Sequence, residues 1–416
     1  MKRVFFTVFL FVSIAVQGQY RQLPLIPEIV YNVRDLGALG DDQTLNTLVI
    51  QKALDQAKET GGKVLIPAGI YVCGPLNMYG KTELEIAKGA VLKLRNDVDA
   101  FPASNGRYQN LINISNATDV KISGAGTIDG QGQIWWEKTT AKTLTLRRPQ
   151  LLFIEATERV ELTGITFLNP PNTHMSLKSC TDVYIHDLRV QAPENSRNTD
   201  GINISAKNCT IEHCTINTGD DNIAINFGNR KQAPGDPEVK NIMIRNCTFG
   251  YGHGLSIGSF TSGGLSNLQV SNCTFDGTTS AIRIKTARGR GGVIDQITYE
   301  NIKINNSKYP IFISEYYPKE PANPETDLAT EAGAYNPVYQ DIRLKNIDIN
   351  NAQEGLIIWG IPESPIQHIE FENVKISAKH GAQIYHAKAV LFTGCSLKVA
   401  EGTRLRVYHA EIKGLK

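Results

Sequence analysis

Apolar and polar residues alternate along most of this chain, and a small or polar residue breaks the alternation each time. The unit reads apolar-x-apolar-x-(Gly/Asn/Asp)-apolar-x-apolar. Copies fall at residues 120–128 (slightly stretched), 160–167, 183–190, 209–216, 242–249, 268–275, 297–304, 342–349, 369–376 and 390–397. The breaking position is Gly124, Gly164, Asp187, His213, Asn246, Asn272, Asn301, Asn346, Asn373 and Gly394. Period-two alternation is a strand pattern. Short strands repeated with loops of variable length form a solenoid. Helical periodicity is nearly absent from this region, so the expected fold is all-β: a single-stranded parallel β-helix. Right-handed coiling follows from the general handedness of parallel crossovers. Asn at one place in successive coils can form a ladder of side-chain amides that satisfies turn backbone.

The start of the chain reads differently. Residues 33–38 predict a strand leading into a turn at Gly40-Asp41-Asp42. Residues 48–58 place Val49, Ile50, Ala53, Leu54 and Ala57 on one helical face, and Gly61-Gly62 ends that helix. Residues 63–69 predict a strand entering a turn. A helix ahead of a β solenoid covers its open apolar end, so residues 28–100 are expected to form a capping region. Before them, Met1-Lys2-Arg3, an apolar run from Val4 to Val16 and small residues near Gly18 make residues 1–18 a signal peptide, too short for a bilayer span. Residues 19–416 would then form one domain, exported to the periplasm or the medium and free of the membrane once the signal is removed. A monomer is expected.

Charge adds little. The 416 residues carry a formal net charge of +2, which argues against a nucleic-acid partner or a membrane-surface footprint. The seven cysteines change the picture only slightly. Cys214, Cys247, Cys273 and Cys395 all occupy the apolar position after the breaking residue, where parallel stacking suits a disulfide poorly. They read as small buried apolar residues.

Candidate chemistry is concentrated between Asn198 and Lys285. Asn198-Thr199-Asp200-Gly201, Gly219-Asp220-Asp221-Asn222, Gly252-His253-Gly254 and Arg283-Ile284-Lys285 each adjoin a short alternating segment. Aligned on their first apolar residues, Ile202, Ile223, Leu255 and Ile282 share one inward column, and Asp200, Asp221 and His253 stand two residues before it. Arg283, Lys285, Asn203 and Ala224 then point outward. Three crowded carboxylates cannot all ionise easily, so at least one pKa should rise. Two acids in different protonation states can cleave a glycosidic bond; the same cluster could also hold calcium. Arg283 and Lys285 favour the first reading, because cations beside the acids repel a metal and attract an anionic substrate. No metal and no cofactor are expected. His253 would hydrogen-bond a catalytic acid and tune its pKa.

In order and spacing, Asn-Thr-Asp-Gly, Gly-Asp-Asp, Gly-His-Gly and Arg-Ile-Lys resemble the motifs of polygalacturonases of glycoside hydrolase family 28, and residues 33–69 are similar to their N-terminal region. The resemblance implies a right-handed parallel β-helix and inverting hydrolysis of α-1,4-galacturonan in pectin. It implies a general acid at Asp220, water activation by Asp200 and Asp221 with His253 assisting, and substrate binding by Asn198, Arg283 and Lys285. It also implies a substrate-binding tyrosine, at Tyr317 rather than Tyr316. Inversion would set acid and base carboxyls about 6.5–9.5 Å apart. Two departures, Asn222 for a usual Cys and Asn203 for a frequent Asp, touch subsite preference and leave rhamnogalacturonan or xylogalacturonan as alternative substrates. A calcium-dependent pectate lyase and a non-catalytic sugar-binding β-helix are the more distant alternatives.

Overall fold

The computed structural model describes residues 22–228, 238–318 and 324–415; the expected signal peptide lies outside them. Thirty-three strands join into one array of ladders. The fold is a right-handed parallel β-helix. Each coil contributes to up to three stacks. In the first, the leading apolar residues of the repeat pair coil to coil: Val120 with Val160, Val160 with Val183, Val183 with Cys209, and so on to Ile369 with Val390. In the second the trailing residues do the same, from Ile128 with Phe167 to Ile376 with Leu397. The alternation read from the sequence is therefore the true register. A one-residue slip would turn every inward Ile or Val to solvent.

The breaking residue has one physical cause throughout. All ten positions have positive φ, from 52° at Asn346 to 116° at Gly124. The chain turns a corner there in the left-handed region, which Gly enters freely and Asn and Asp tolerate. The asparagines also form a ladder, with Asn301 donating to Asn272, Asn346 to Asn301 and Asn373 to Asn346 at 3.1–3.2 Å. These amides bond one another rather than the turn backbone. Two further ladders lie at other corners: Asn267–Asn241–Asn208–Asp182 and Asn351–Asn306–Asp276. Inside, Phe249 stacks on Phe275 and Phe371 on Phe392, each with centroids 4.5 Å apart. All seven cysteines are free thiols, six of them buried and Cys395 half-buried.

The cap forms as expected, with different boundaries. Helix α1 (Thr47–Thr60) buries Ile50, Ala53, Leu54 and Ala57 and ends at Gly61, whose φ is 71°. The strand expected at residues 33–38 is instead Val30–Asn32. Val33 still donates to Leu65, but the next donors close local turns, Leu36 to Val33 and Gly37 to Arg34. The turn expected at Gly40-Asp41-Asp42 gives way to strand Asp41–Leu45, which lies beside Gly69–Cys73. A second helix, α2 (Gln133–Thr140), was not foreseen. It belongs to an insertion without repeat periodicity, and its Trp135 packs edge-on against Phe101 and Tyr108. Among the described residues, no helix is long and apolar enough to cross a membrane.

Candidate active site

The third stack carries the site. Five strands follow one another in it: β1 (Ile202–Glu212), β2 (Ile223–Ile225), β3 (Leu255–Ile257), β4 (Ser280–Lys285) and β5 (Tyr309–Ser314). Ile202, Ile223, Leu255, Ile282 and Ile311 pair in succession and are fully buried. Residues on the other face form a second column: Asn203, Ala224, Ser256, Arg283 and Phe312. Neighbouring strands lie about 4.8 Å apart, so residues dozens of positions apart in sequence become adjacent.

The turns before these strands extend the ladder. Gly201 N–H donates to the Asp221 carbonyl and His253 N–H to the Asp220 carbonyl, both at 2.9 Å. Thr199 is buried, and its hydroxyl accepts the Gly219 N–H at 2.9 Å, tying the Asn-Thr-Asp-Gly turn to the Gly-Asp-Asp turn. Asn222 is also buried. It accepts from Gly254 N–H and donates to the carbonyls of Ile216 and Tyr251, so it acts as a staple between turns. Gly254 has φ of 75°, and a Cβ there would overlap the Ser280 carbonyl oxygen. The glycines around His253 thus serve close stacking.

Asp221 is nearly buried and saturated with donors. Its Oδ1 accepts from Ser256 Oγ at 2.8 Å and Arg283 Nη1 at 3.1 Å, and its Oδ2 accepts from Lys285 Nζ at 2.7 Å. The Lys285 and Asp221 side chains are only 6% and 7% exposed. Lys285 is therefore not an outward cation open to solvent; it is enclosed in an ion pair that reaches back two coils. Asp220 is more open. It accepts from Asn198 Nδ2 at 3.2 Å, and His253 Nδ1 stands 3.1 Å from its Oδ1. Asp200 accepts from Asn203 Nδ2 at 3.0 Å. The expected pKa rise falls on Asp200: burial, then the charges of Asp220 and Asp221, push it up to about 7. Burial also acts to raise Asp220, but the hydrogen bond and charge of His253 outweigh it, and the net shift is downward.

Oxygens of Asp220 and Asp221 and a nitrogen of His253 come within 4.8 Å of one another. For the Asp220–Asp221 pair this is shorter than the inverting separation of about 6.5–9.5 Å. The cause is local. The two acids share one turn, with Asp221 N–H donating to Asp220 Oδ1, and both face His253. The same three residues have ligand spacing for a cation. Yet Asp221 already bears an ammonium and a guanidinium, and imidazole is a poor ligand for a hard ion. The donor set suits a hydrogen-bonded acid cluster.

Two concavities flank the acids. One, of about 180 Å³, is lined by His253, Arg283, Tyr309, Phe312, Tyr316 and Tyr317 among others. Tyr317 lies against both cations, its ring 5.6 Å from the Arg283 guanidinium carbon and 5.2 Å from Lys285 Nζ. Tyr316 instead donates its hydroxyl to Asp327. The other concavity is a groove of about 980 Å³ that includes Asn198, Asp200 and Asn203. Arg283 Nε and Asn203 Oδ1 are buried without a protein partner. All eight site residues expected from the sequence, from Asn198 to Tyr317, thus line one of these concavities or contact a residue that does. Sequence reasoning missed Ser256, which braces Asp221, and Arg148, which donates to Asn198 at 3.3 Å. Ser256 was findable, since it occupies the column of Asn203 and Arg283. Arg148 lies outside the repeat and carried no signal.

Comparison with known proteins shows the family and the fold. The family described as glycosyl hydrolases family 28 matches residues 57–395. An endo-polygalacturonase of Pectobacterium carotovorum subsp. carotovorum is 32% identical over 373 residues, spanning 83% of this chain and 88% of the relative. An exopolygalacturonase of Zea mays is 33% identical over 361 residues, spanning 83% of each. The solved polygalacturonase of Erwinia carotovora ssp. carotovora superposes with a TM-score of 0.74 at 30% identity, covering 88% of this chain and 97% of that one. Fold and relatives together define a glycoside hydrolase on a parallel β-helix. The chain belongs to glycosyl hydrolases family 28 and is a hydrolase of the polygalacturonase type.

Proposed function

We propose that this protein hydrolyses the α-1,4-galacturonosidic bonds of pectic polygalacturonate with inversion. The observation that carries the reading is Arg283. Its guanidinium meets the acid cluster on one side and the Tyr317 ring on the other, and its buried Nε lacks a protein partner. A sugar carboxylate in the pocket beside it would complete that cation's hydrogen bonding. Lys285 contributes to the same positive field from beneath.

The roles follow from how each carboxylate is held. With its oxygens given to Ser256, Arg283 and Lys285, Asp221 fixes the cations and lowers the potential felt by its neighbours; it is a poor nucleophile. Asp220, partly exposed beside His253, serves as the general acid. Asp200 activates water. In the free enzyme the proton rests on Asp200, whose affinity burial and the charges of Asp220 and Asp221 raise. A substrate carboxylate drawn to Arg283 places negative charge near Asp220 and raises its proton affinity. Asp200 then stands as the carboxylate. Asp220 protonates the leaving oxygen as the glycosidic bond breaks, and Asp200 takes a proton from the water that attacks the anomeric carbon from the opposite face. The cycle ends with the proton back on Asp200. Residues 1–18 would export the protein to meet its polymer, where it acts as a monomer.

Digestion of polygalacturonic acid, followed by NMR for the first anomer and by assay for new reducing ends, tests this. The expected product is the β-anomer. An α-anomer would overturn inversion, an unsaturated product absorbing in the ultraviolet would overturn hydrolysis, and no new reducing ends would overturn the substrate.

A further inference from the structure

The large groove on the Asp200 side holds charges that the chemistry above does not use. It is built by two insertions outside the repeat. A small antiparallel pair, Ala103–Ser104 with Arg107–Tyr108, supplies Arg107. The segment after α2 supplies Lys142, Arg147 and Arg148. The insertions are joined by backbone: Tyr108 N–H donates to the Arg147 carbonyl at 3.0 Å, and Arg107 and Arg147 form a β-bridge. The rings of Trp135, Phe101 and Tyr108 clamp the same region.

The fold thus holds two arginines side by side, with Lys142 on the same wall. Like charges in such proximity repel and stay together only where something offsets them. The Phe153 ring, with its centroid 6.0 Å from the Arg107 guanidinium carbon, offsets this only in part. Among the described residues, no carboxylate lies within ion-pair distance of Arg107, Lys142 or Arg147, and Arg107 Nε is buried without a protein partner. Burial and the charge of Arg147 hold the Arg107 pKa below its ordinary value. Arg148 differs from these three. It is buried and committed to the carbonyls of Pro171 and Arg197 and to Asn198, so it shapes the wall. The open cations share their groove with Asn198 and Asp200.

We propose that Arg107, Lys142 and Arg147 form a second anion subsite, which takes the carboxylates of uronate residues remote from the scissile bond on the Asp200 side. This rests on the polyuronate reading of the site. A uronate polymer presents one carboxylate per sugar, so a chain seated at Arg283 carries further anions into the groove. Planar guanidinium forks match them in geometry and charge.

The test measures binding in the inactive Asp220→Asn enzyme, by calorimetry, with hexagalacturonate and its fully methyl-esterified counterpart. The parent is expected to prefer the charged hexamer. Adding Arg147→Gln or Lys142→Gln should weaken the charged hexamer about tenfold per substitution and leave the ester unchanged, while Arg147→Lys keeps most of the affinity. Both residues are exposed, so the core is untouched, and retained ester binding reports a folded groove. If Arg147→Gln and Lys142→Gln bind the charged hexamer like the parent, the second subsite is wrong and the catalytic reading stands. If the parent binds neither hexamer, the polyuronate reading fails and the subsite falls with it.

Discussion

Two columns of this solenoid are built by the same device and behave in opposite ways. At the corner column, Asn272, Asn301, Asn346 and Asn373 stack on one another, each amide donating to the one before. At the site column, Asn203, Ala224, Ser256 and Arg283 stack in equally strict register, yet no residue type repeats. A column of identical amides satisfies itself and needs no partner. A column of unlike residues, with the turns that precede its strands, brings acids, cations and hydroxyls to strand spacing, where charge and burial raise the Asp200 pKa and groups such as Arg283 Nε stay unfilled. Parallel stacking supplies adjacency in both places; residue variety turns adjacency into chemistry.

That contrast can be broken from the site side first. Asp220→Asn should lower kcat by about 10³-fold, the usual weight of a general acid, while binding of oligogalacturonate persists. Retained turnover would move the acid elsewhere. Lys285→Met removes one partner of a buried pair and leaves the Asp221 charge with Arg283 alone. It should cost about 3–5 kcal/mol of stability, read as a lower denaturant midpoint. A loss below 1 kcal/mol would mean that the pair is solvated.

A third substitution uses the sign of a pKa shift. Asp200 is raised to about 7, so the folded protein keeps a proton that the unfolded chain releases near 3.8. The stability tied to that proton is fully present below the unfolded value and is lost as pH rises through the folded one. Asp200→Asn should therefore gain in Tm over the wild type as pH goes from 4 to 8. In the wild type, kcat should fall above about pH 7 as Asp200 loses its proton. A pH-independent difference in Tm would reject the assignment. The smallest effect belongs to the corner. Asn301→Ala places a Cβ at φ 57° without the amide and should cost about 1–2 kcal/mol, with activity unchanged. Asn301→Gly should be close to neutral. An activity loss from either would erase the distinction between the columns.

Much of this was open to reading before any coordinates. The repeat could be placed strand by strand, because an inward Ile or Val every second residue and an Asn or Gly at each left-handed corner are local demands of the backbone. The alignment of Ile202, Ile223, Leu255 and Ile282 followed from the same pattern, and with it the gathering of Asp200, Asp221, His253 and Arg283. Cys214, Cys247 and Cys273 read as small buried residues for the same reason; Cys395, read the same way, is half-buried. Helix α2 and the Arg107 hairpin gave no periodic signal, since an insertion answers to its own packing against Trp135 rather than to the coil.

What the sequence determined alone was which residues share a column. Distance and burial belonged to the tertiary structure. Only the folded trough decided that Lys285 is enclosed by Asp221 rather than free in the groove, that Ser256 braces that pair, and that Asp220 and Asp221 lie closer than inversion by those two would require. It also decided that the raised carboxyl is Asp200, because a pKa answers to solvent exclusion and to every nearby charge, and both arise only once coils lie on one another.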